Sequence, residues 1–479
     1  MRLSVFVLGL LAAVGADAQP NTQLVNPLEG TAYDSATTLD DQTDVAVTVY
    51  NAGIALVRDR REVKLLPGEQ RLTFSGVAQQ IRPETVSLKS VTSPGKLRIL
   101  EQNYEYDLMS PSKMMEKYVG KQVRLLNQHA DLAFDEVSAE LLSINEGAIY
   151  KIENDIYLGH PGNVVLPRVP DNLIAKPSLV WTLDNRDTDH TIEASYLTGG
   201  IDWKADYVLT LDRNDQAFDL EGWVTLNNQS GAQYTDAQLK LVAGNVNIAP
   251  QPQPRRALKR SRMAEDRFDM SAREETFAEY HLYTIPRRTT IKENQSKQVS
   301  LLNAARVGCE KVYGFHGNTS YYRQQVAPMR EQHVAVFLKF DNKADNNMGM
   351  PLPGGVIRVY QSDSEGALQF AGEDRVKHTP KDETVRIRLG EAFDVVAERI
   401  QSNFRVIADR VFESEFEIKV RNHKNQDIVV QVIEPMTSDW EMIKNSHEYV
   451  KRDAHTAVFD LPVPKDGETI LTYRVLVKY

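Results

Sequence analysis

Apolar and polar residues alternate with a period of two along most of this chain, most clearly in TIEASYLTGGIDWKADYVLTL, residues 191–211. After Gly199-Gly200, the residues Ile201, Trp203, Ala205, Tyr207, Leu209 and Leu211 occupy every second position, with Asp202, Lys204, Asp206 and Thr210 between them. That phase predicts a strand with one buried and one wet face. Its two aromatic anchors predict the centre of a sandwich-type core. The same period recurs at Val45, Val47 and Val49, at Leu72 and Phe74, and at Leu239, Leu241 and Ala243. It returns at Phe416, Ile418 and Val420, and at Tyr473, Val475, Val477 and Tyr479. Turn clusters such as Asn51-Ala52-Gly53 and Pro67-Gly68-Glu69 separate these runs, as an antiparallel meander requires.

Helical patterning is scarce. Ser110-Pro111 opens the clearest short helix, PSKMMEKYV, and Gly120 closes it. Serine suits the N-cap and proline the first helical position. Met114, Met115 and Tyr118 are its expected apolar contacts.

The expected fold is therefore mainly β, with several antiparallel β-sandwich or immunoglobulin-like modules in tandem, a small SH3-like barrel and few short helices. Residues 1–18 read as a signal peptide, with Arg2, an apolar run from Leu3 to Val14 and small residues at Ala16 and Ala18. Residues 19–44 read as a flexible leader, 45–119 as an N-terminal β domain and 120–170 as the small barrel. A central sandwich spans 171–400 with a flexible insert at 250–279, and an immunoglobulin-like domain spans 401–479. A periplasmic or extracellular location follows from the signal peptide.

Charge and composition narrow the function classes. The 479 residues carry a formal net charge of −10, which argues against nucleic acid as a partner. The single cysteine, Cys309, allows no intrachain disulfide. Beyond the leader, no stretch reaches the about 20 apolar residues of a membrane helix. Against this acidic background, Arg255, Arg256, Lys259, Arg260 and Arg262 form a basic run. It is the candidate contact for an anionic surface, with a charge-solvated loop as the plainer reading.

Catalytic and metal signatures are weak. The chain has no G-x-S-x-G, G-x-x-x-x-G-K-[ST] or G-x-G-x-x-G motif. His447-Glu448 begins like a zinc-protease helix, but Lys451 stands where the second histidine belongs. Asp184 to Asp189 and Asp341 to Asn347 offer oxygens for a hard cation, yet both fall where hairpin turns are expected. Cys309 reads as a structural thiol. Of Trp181, Trp203, Trp223 and Trp440, only Trp223 is out of phase with its buried neighbours, so it is the candidate for exposure or an inter-domain seam. No cofactor, metal or catalytic set is expected.

Several blocks together resemble one exported bacterial family. They are VTVYNAGIALVRDRREV, ASYLTGGIDWKADYVLTL, GWVTLNNQSGAQYTDAQLKLVAG, EYHLYTIPRRTTIKENQSKQVSLL and the stretch from NMGMPLPGGVIRVYQSDSEG to GEAFDV. The family is domain of unknown function 4139, related to mucoidy-inhibitor-like proteins, and the similarity runs from about Val45 to Tyr479. The resemblance implies no activity, cofactor or catalytic residue. The reading that follows is a non-enzymatic binding or scaffolding protein of the cell envelope, with an envelope protein or polysaccharide as partner. The alternative is a hydrolase acting on an envelope polymer or peptide, with its site between β modules.

Overall fold

A computed structural model describes residues 33–128, 134–159, 162–170, 173–244, 246, 273–277, 280–436 and 438–479. The expected signal peptide at 1–18 and the basic run at 255–262 lie outside them. Among the described residues the architecture is mainly β, with one α-helix, Pro111–Tyr118. No helix there is long and apolar enough to cross a membrane.

Alternation becomes burial in the strand Ile201–Leu211, where all six in-phase residues are buried. Asp206 departs from its expected wet position. It is buried, and it accepts hydrogen bonds from Thr225 Oγ1 at 3.0 Å and Arg358 Nη1 at 3.1 Å. A carboxylate can be buried there because charged and polar donors replace its water. Tyr207 satisfies its hydroxyl by donating to Pro353 O at 2.7 Å.

Gly199-Gly200 is a corner between sheets, since the strands on either side do not pair with each other. Asp189–Gly199 pairs with Ile54–Lys64 and Ser87–Ser90 in an eight-stranded sheet. Ile201–Leu211 crosses into a five-stranded sheet, between Ala217–Asn228 (antiparallel) and Gly355–Ser362 (parallel). Gly200 has φ +76, and a Cβ there would approach Gln229 O to 2.7 Å. A side chain is excluded by both conformation and space.

The inner faces of these sheets, with a four-stranded sheet centred on Ser178–Asn185, share one large core that includes Trp181, Trp203, Tyr207 and Phe218. Sheet pairing joins segments distant in sequence. Gln42–Tyr50 lies parallel to Tyr234–Ala243, and Gly68–Ser75 pairs with Ser178–Asn185.

Residues 122–165 form a smaller five-stranded sheet over a core of Tyr118, Val123, Leu125, Ala139, Leu141 and Tyr150. The sheet is open: among the described residues its outer strands, Asp155–Leu158 and Asn163–Val165, do not pair, so the small barrel expected from spacing is not closed. The helix Pro111–Tyr118 is N-capped by Ser110 as expected, with Ser110 Oγ accepting from Lys113 N at 3.2 Å. Tyr118 is buried, and its hydroxyl donates to Arg168 O at 2.7 Å.

The C-terminal sheet has nine strands and encloses a third core with Phe416, Phe459, Trp440 and Tyr473. Its connection to the large core is a pair of strands, Met329–Asp341 and Thr384–Ala408, hydrogen-bonded from Asp341↔Thr384 to Met329↔Arg399. Leu338, Phe340, Val385 and Ile387 enter the large core, whereas Val334, Ala392, Val395 and Ala397 enter the C-terminal core. Register shifts around Val336/Phe337 re-aim the ribbon between them.

The parallel pairing of Ile201–Leu211 with Gly355–Ser362 depends on Gly355. A Cβ there would fall on Ala205 O, which belongs to the neighbouring backbone and cannot turn away. Gly355→Ala should lower the unfolding free energy by about 2–3 kcal/mol in urea denaturation. An unchanged midpoint would show that the two strands are not this close.

Candidate functional site

The positions singled out for metal binding are consumed by turn architecture. Asn185 is buried and donates through Nδ2 to Leu66 O at 3.0 Å, while Asp187 accepts from Ser93 Oγ at 2.6 Å. In the second cluster, Asn342 Nδ2 donates to Pro380 O at 2.9 Å. Asn346 exchanges hydrogen bonds with the Gly308 backbone, both at 2.9 Å, and Asp341 accepts from Thr384 Oγ1 at 2.6 Å. Among the described residues, no three His, Cys, Asp or Glu side chains are grouped to hold a metal ion.

Cys309 is half-buried, and its thiol approaches Asp215 O at 3.7 Å. Burial, with Asp212 and Asp215 adding to it against Lys311, pushes the thiol up to about 12. A thiol kept neutral at physiological pH is a poor nucleophile. Trp181, Trp203 and Trp440 are buried, and Trp223 is half-buried.

One arrangement has the hydrogen-bond order of a hydrolytic relay. His190 Nε2 lies 2.9 Å from Asn185 Oδ1 and 3.1 Å from Asp187 O, both acceptors, so Nε2 carries the proton. Its Nδ1 then accepts from Ser90 Oγ at 2.8 Å. A cavity of about 790 Å³ adjoins it, lined by Asp40, Asp41, Glu62, Asp189 and His190 among others. Ser90 does not line that cavity, is only 7% exposed, and already accepts from Ser93 N at 3.0 Å. A nucleophile must reach its substrate; this serine instead closes the turn after Ser87–Ser90 and ties it to Asp189–Gly199.

A second buried array lies in the C-terminal core. Arg399 and Glu434 are 2% and 0% exposed, with Nη1 and Oε1 2.7 Å apart. The approach is that of an ion pair, since no Arg399 nitrogen is aligned for a hydrogen bond among the described residues. Tyr322 donates to Glu434 Oε2 at 2.6 Å, and its hydroxyl is 3.0 Å from that of Tyr473. Burial first, then the Glu434 charge, raises the Tyr322 phenol well above its ordinary value and keeps it a donor. Burial is the largest influence and opposes the Arg399 charge, but Glu434, with Tyr473 and Tyr322, together outweigh it and the guanidinium is raised. The array joins Thr384–Ala408, Ile428–Pro435 and Gly467–Lys478 inside the core, closed to ligands.

Two sheet edges are open to a partner. Asp155–Leu158 hydrogen-bonds only to Ile149–Ile152, leaving one side of its backbone unpaired within the described sheet. Ile156, Tyr157 and Leu158 are 64%, 43% and 84% exposed. At the edge of the five-stranded sheet of the large core, Leu368–Val376 exposes Leu368 and Phe370. Its far half is covered: Gly372 packs on the Leu389 backbone, and Arg388 N donates to Asp374 Oδ2 at 2.7 Å. Exposed apolar edges of this kind are usually blunted by charge, bulges or cover.

The family model for Domain of unknown function (DUF4139) matches residues 192–479. The chain belongs to this family. The DUF4139 region thus holds the strand Ile201–Leu211, the ribbon and the whole C-terminal sheet, while Ser90, His190 and the edge Asp155–Leu158 precede it. A search against curated proteins found no match.

If the Ser90–His190–Asn185 array is structural, Ser90→Ala costs stability, about 1–2 kcal/mol in urea unfolding. The intact protein should also stay unlabelled by a fluorophosphonate probe. Labelling at Ser90 would contradict the structural role.

Proposed function

We propose that this chain is an exported, non-enzymatic scaffold of the bacterial cell envelope that binds its partners along open sheet edges. The observation that carries the reading is the edge strand Asp155–Leu158, which combines unpaired backbone groups with three exposed apolar side chains. Strand addition needs both parts: main-chain groups supply affinity, and alternate side chains supply selectivity. Export rests on the leader pattern at residues 1–18. A relation to mucoidy-inhibitor-like proteins belongs to the same proposal. The partner it fits is an envelope protein with an extended apolar segment. The basic run at Arg255 to Arg262 would add peripheral attraction to anionic envelope surfaces.

Charges on the edge should abolish such binding without disturbing the core, because Ile156 and Leu158 point into solvent. With the protein immobilised from residue 19 onward, Ile156→Lys combined with Leu158→Lys should reduce partner capture from envelope extract more than tenfold. Two lost apolar contacts at about 1.5 kcal/mol each account for that factor. Equal capture by both proteins, with unchanged circular dichroism, would remove this edge as the binding surface.

A further inference from the structure

The outer face of the nine-stranded sheet carries an uncompensated cation. Glu310–His316 pairs with Met329–Asp341 through Val312↔Phe337 and Gly314↔Ala335, and Met329–Asp341 pairs with Thr384–Ala408 through Phe337↔Arg388 and Lys339↔Arg386. These registers place Gly314, His316, Phe337, Arg386 and Arg388 on one face. Tyr313 and Phe315 point the other way, into the C-terminal core.

On that face the Arg386 guanidinium lies 4.0 Å above the Phe337 ring. Its Nε and Nη2 are buried and have no hydrogen-bond partner among the described residues. A donor held this way forfeits hydration without gaining a bond. Neighbouring charges do not relieve it. Arg388 is paired with Glu391 at 3.1 Å, and Arg452 lies 3.8 Å from Asp453. Lys339 is paired with Glu310 at 3.1 Å. Burial and then Arg452 hold Arg386 below its ordinary value. His316 is also held low, by loss of water around part of its ring and by Arg386 and Arg452, with Arg388 adding to them and Glu434 opposing. Glu434 is committed to Arg399 and Tyr322 in the core behind the sheet.

Gly314 forms the floor. A Cβ there would stand 3.1 Å from both Arg386 Nη2 and Phe337 Cε2, and 3.5 Å from His316 Nε2. The absence of a side chain lets an arginine and a histidine nitrogen converge over the backbone. His316 is exposed and Arg386 only half-buried, so an anion would approach from the His316 side of this face.

We propose that Arg386 and His316, converging over Gly314, form a binding site for an oxyanion group, carboxylate or phosphate. The anion supplies the acceptor and the counter-charge that Arg386 lacks, since Arg388 and Arg452 each have a carboxylate beside them. Stacking on Phe337 fixes the guanidinium plane, which favours a flat, two-oxygen ligand over a halide. This site stands apart from the open edges and does not depend on the edge-binding reading.

The test is the titration of His316 in the full chain, followed by NMR with histidine labelled at Cε1 and assigned through His316→Gln. Inorganic phosphate and a short galacturonate oligomer are each compared with chloride at equal ionic strength, which removes general screening. Either anion should raise the His316 midpoint by at least about 0.5 pH unit, because a bound negative charge favours the imidazolium. Arg386→Met should abolish the rise, and Arg386→Lys should retain part of it. Response at a tenfold lower concentration of galacturonate than of phosphate assigns the site to polymer carboxylates, and the reverse order to phosphate. No movement with either anion, or the same movement in Arg386→Met with an unchanged melting temperature, overturns the proposal.

Discussion

Much of this molecule depends on the pairing of Met329–Asp341 with Thr384–Ala408. One hydrogen-bonded ribbon gives Leu338, Phe340, Val385 and Ile387 to the large core and Val334, Ala392, Val395 and Ala397 to the C-terminal core. The two cores are therefore joined by sheet rather than by a free linker. Separating them would require breaking ladder hydrogen bonds and exposing apolar side chains at both ends. The same strands carry Phe337, Arg386 and Arg388 on their outer face. The connection between the cores and the Phe337–Arg386 stack of the proposed anion site are two faces of one element.

The scaffold role remains a proposal, and the joined cores bear on it. A scaffold must hold its contact surfaces at fixed separations, and strands shared between cores do so better than loops. The open edge Asp155–Leu158 lies on the smaller sheet, while the edge of Leu368–Val376 and the cation-bearing face lie on the joined cores. The hydrogen-bond order at Ser90, His190 and Asn185 shows how a relay can occur as a fastening. What separates it from a catalytic one is access, since the serine is buried and already bonded to the turn it closes.

The sequence showed strands more readily than their partners. Period-two alternation located Ile201–Leu211, Val411–Asn422 and Gly467–Lys478, because each buries one face. It could not show that Gly199-Gly200 is a corner between sheets, since a tight turn and a corner ask for the same residues. Nor could it show the parallel partner at Gly355–Ser362, which follows Ile201–Leu211 only after a long excursion. The acidic-amide clusters were legible as turns. The buried ion pair also left a signal: Arg399 follows Val395 and Ala397 in phase, and Glu434 follows Val430 and Val432, so each charge falls on a core position. Arg386 left none. Alternating with Val385 and Ile387, it has the pattern of any solvent-facing charge, and its missing partner is visible only across three strands.

The most direct test of a single rigid scaffold is hydrogen exchange by mass spectrometry across a urea series, comparing peptides from Ile201–Leu211 with peptides from Val411–Asn422. Cores joined through shared strands predict one common urea concentration at which both lose protection, with the ribbon peptides losing it there too. Two well-separated midpoints, with the ribbon exchanging before either core, would contradict the account.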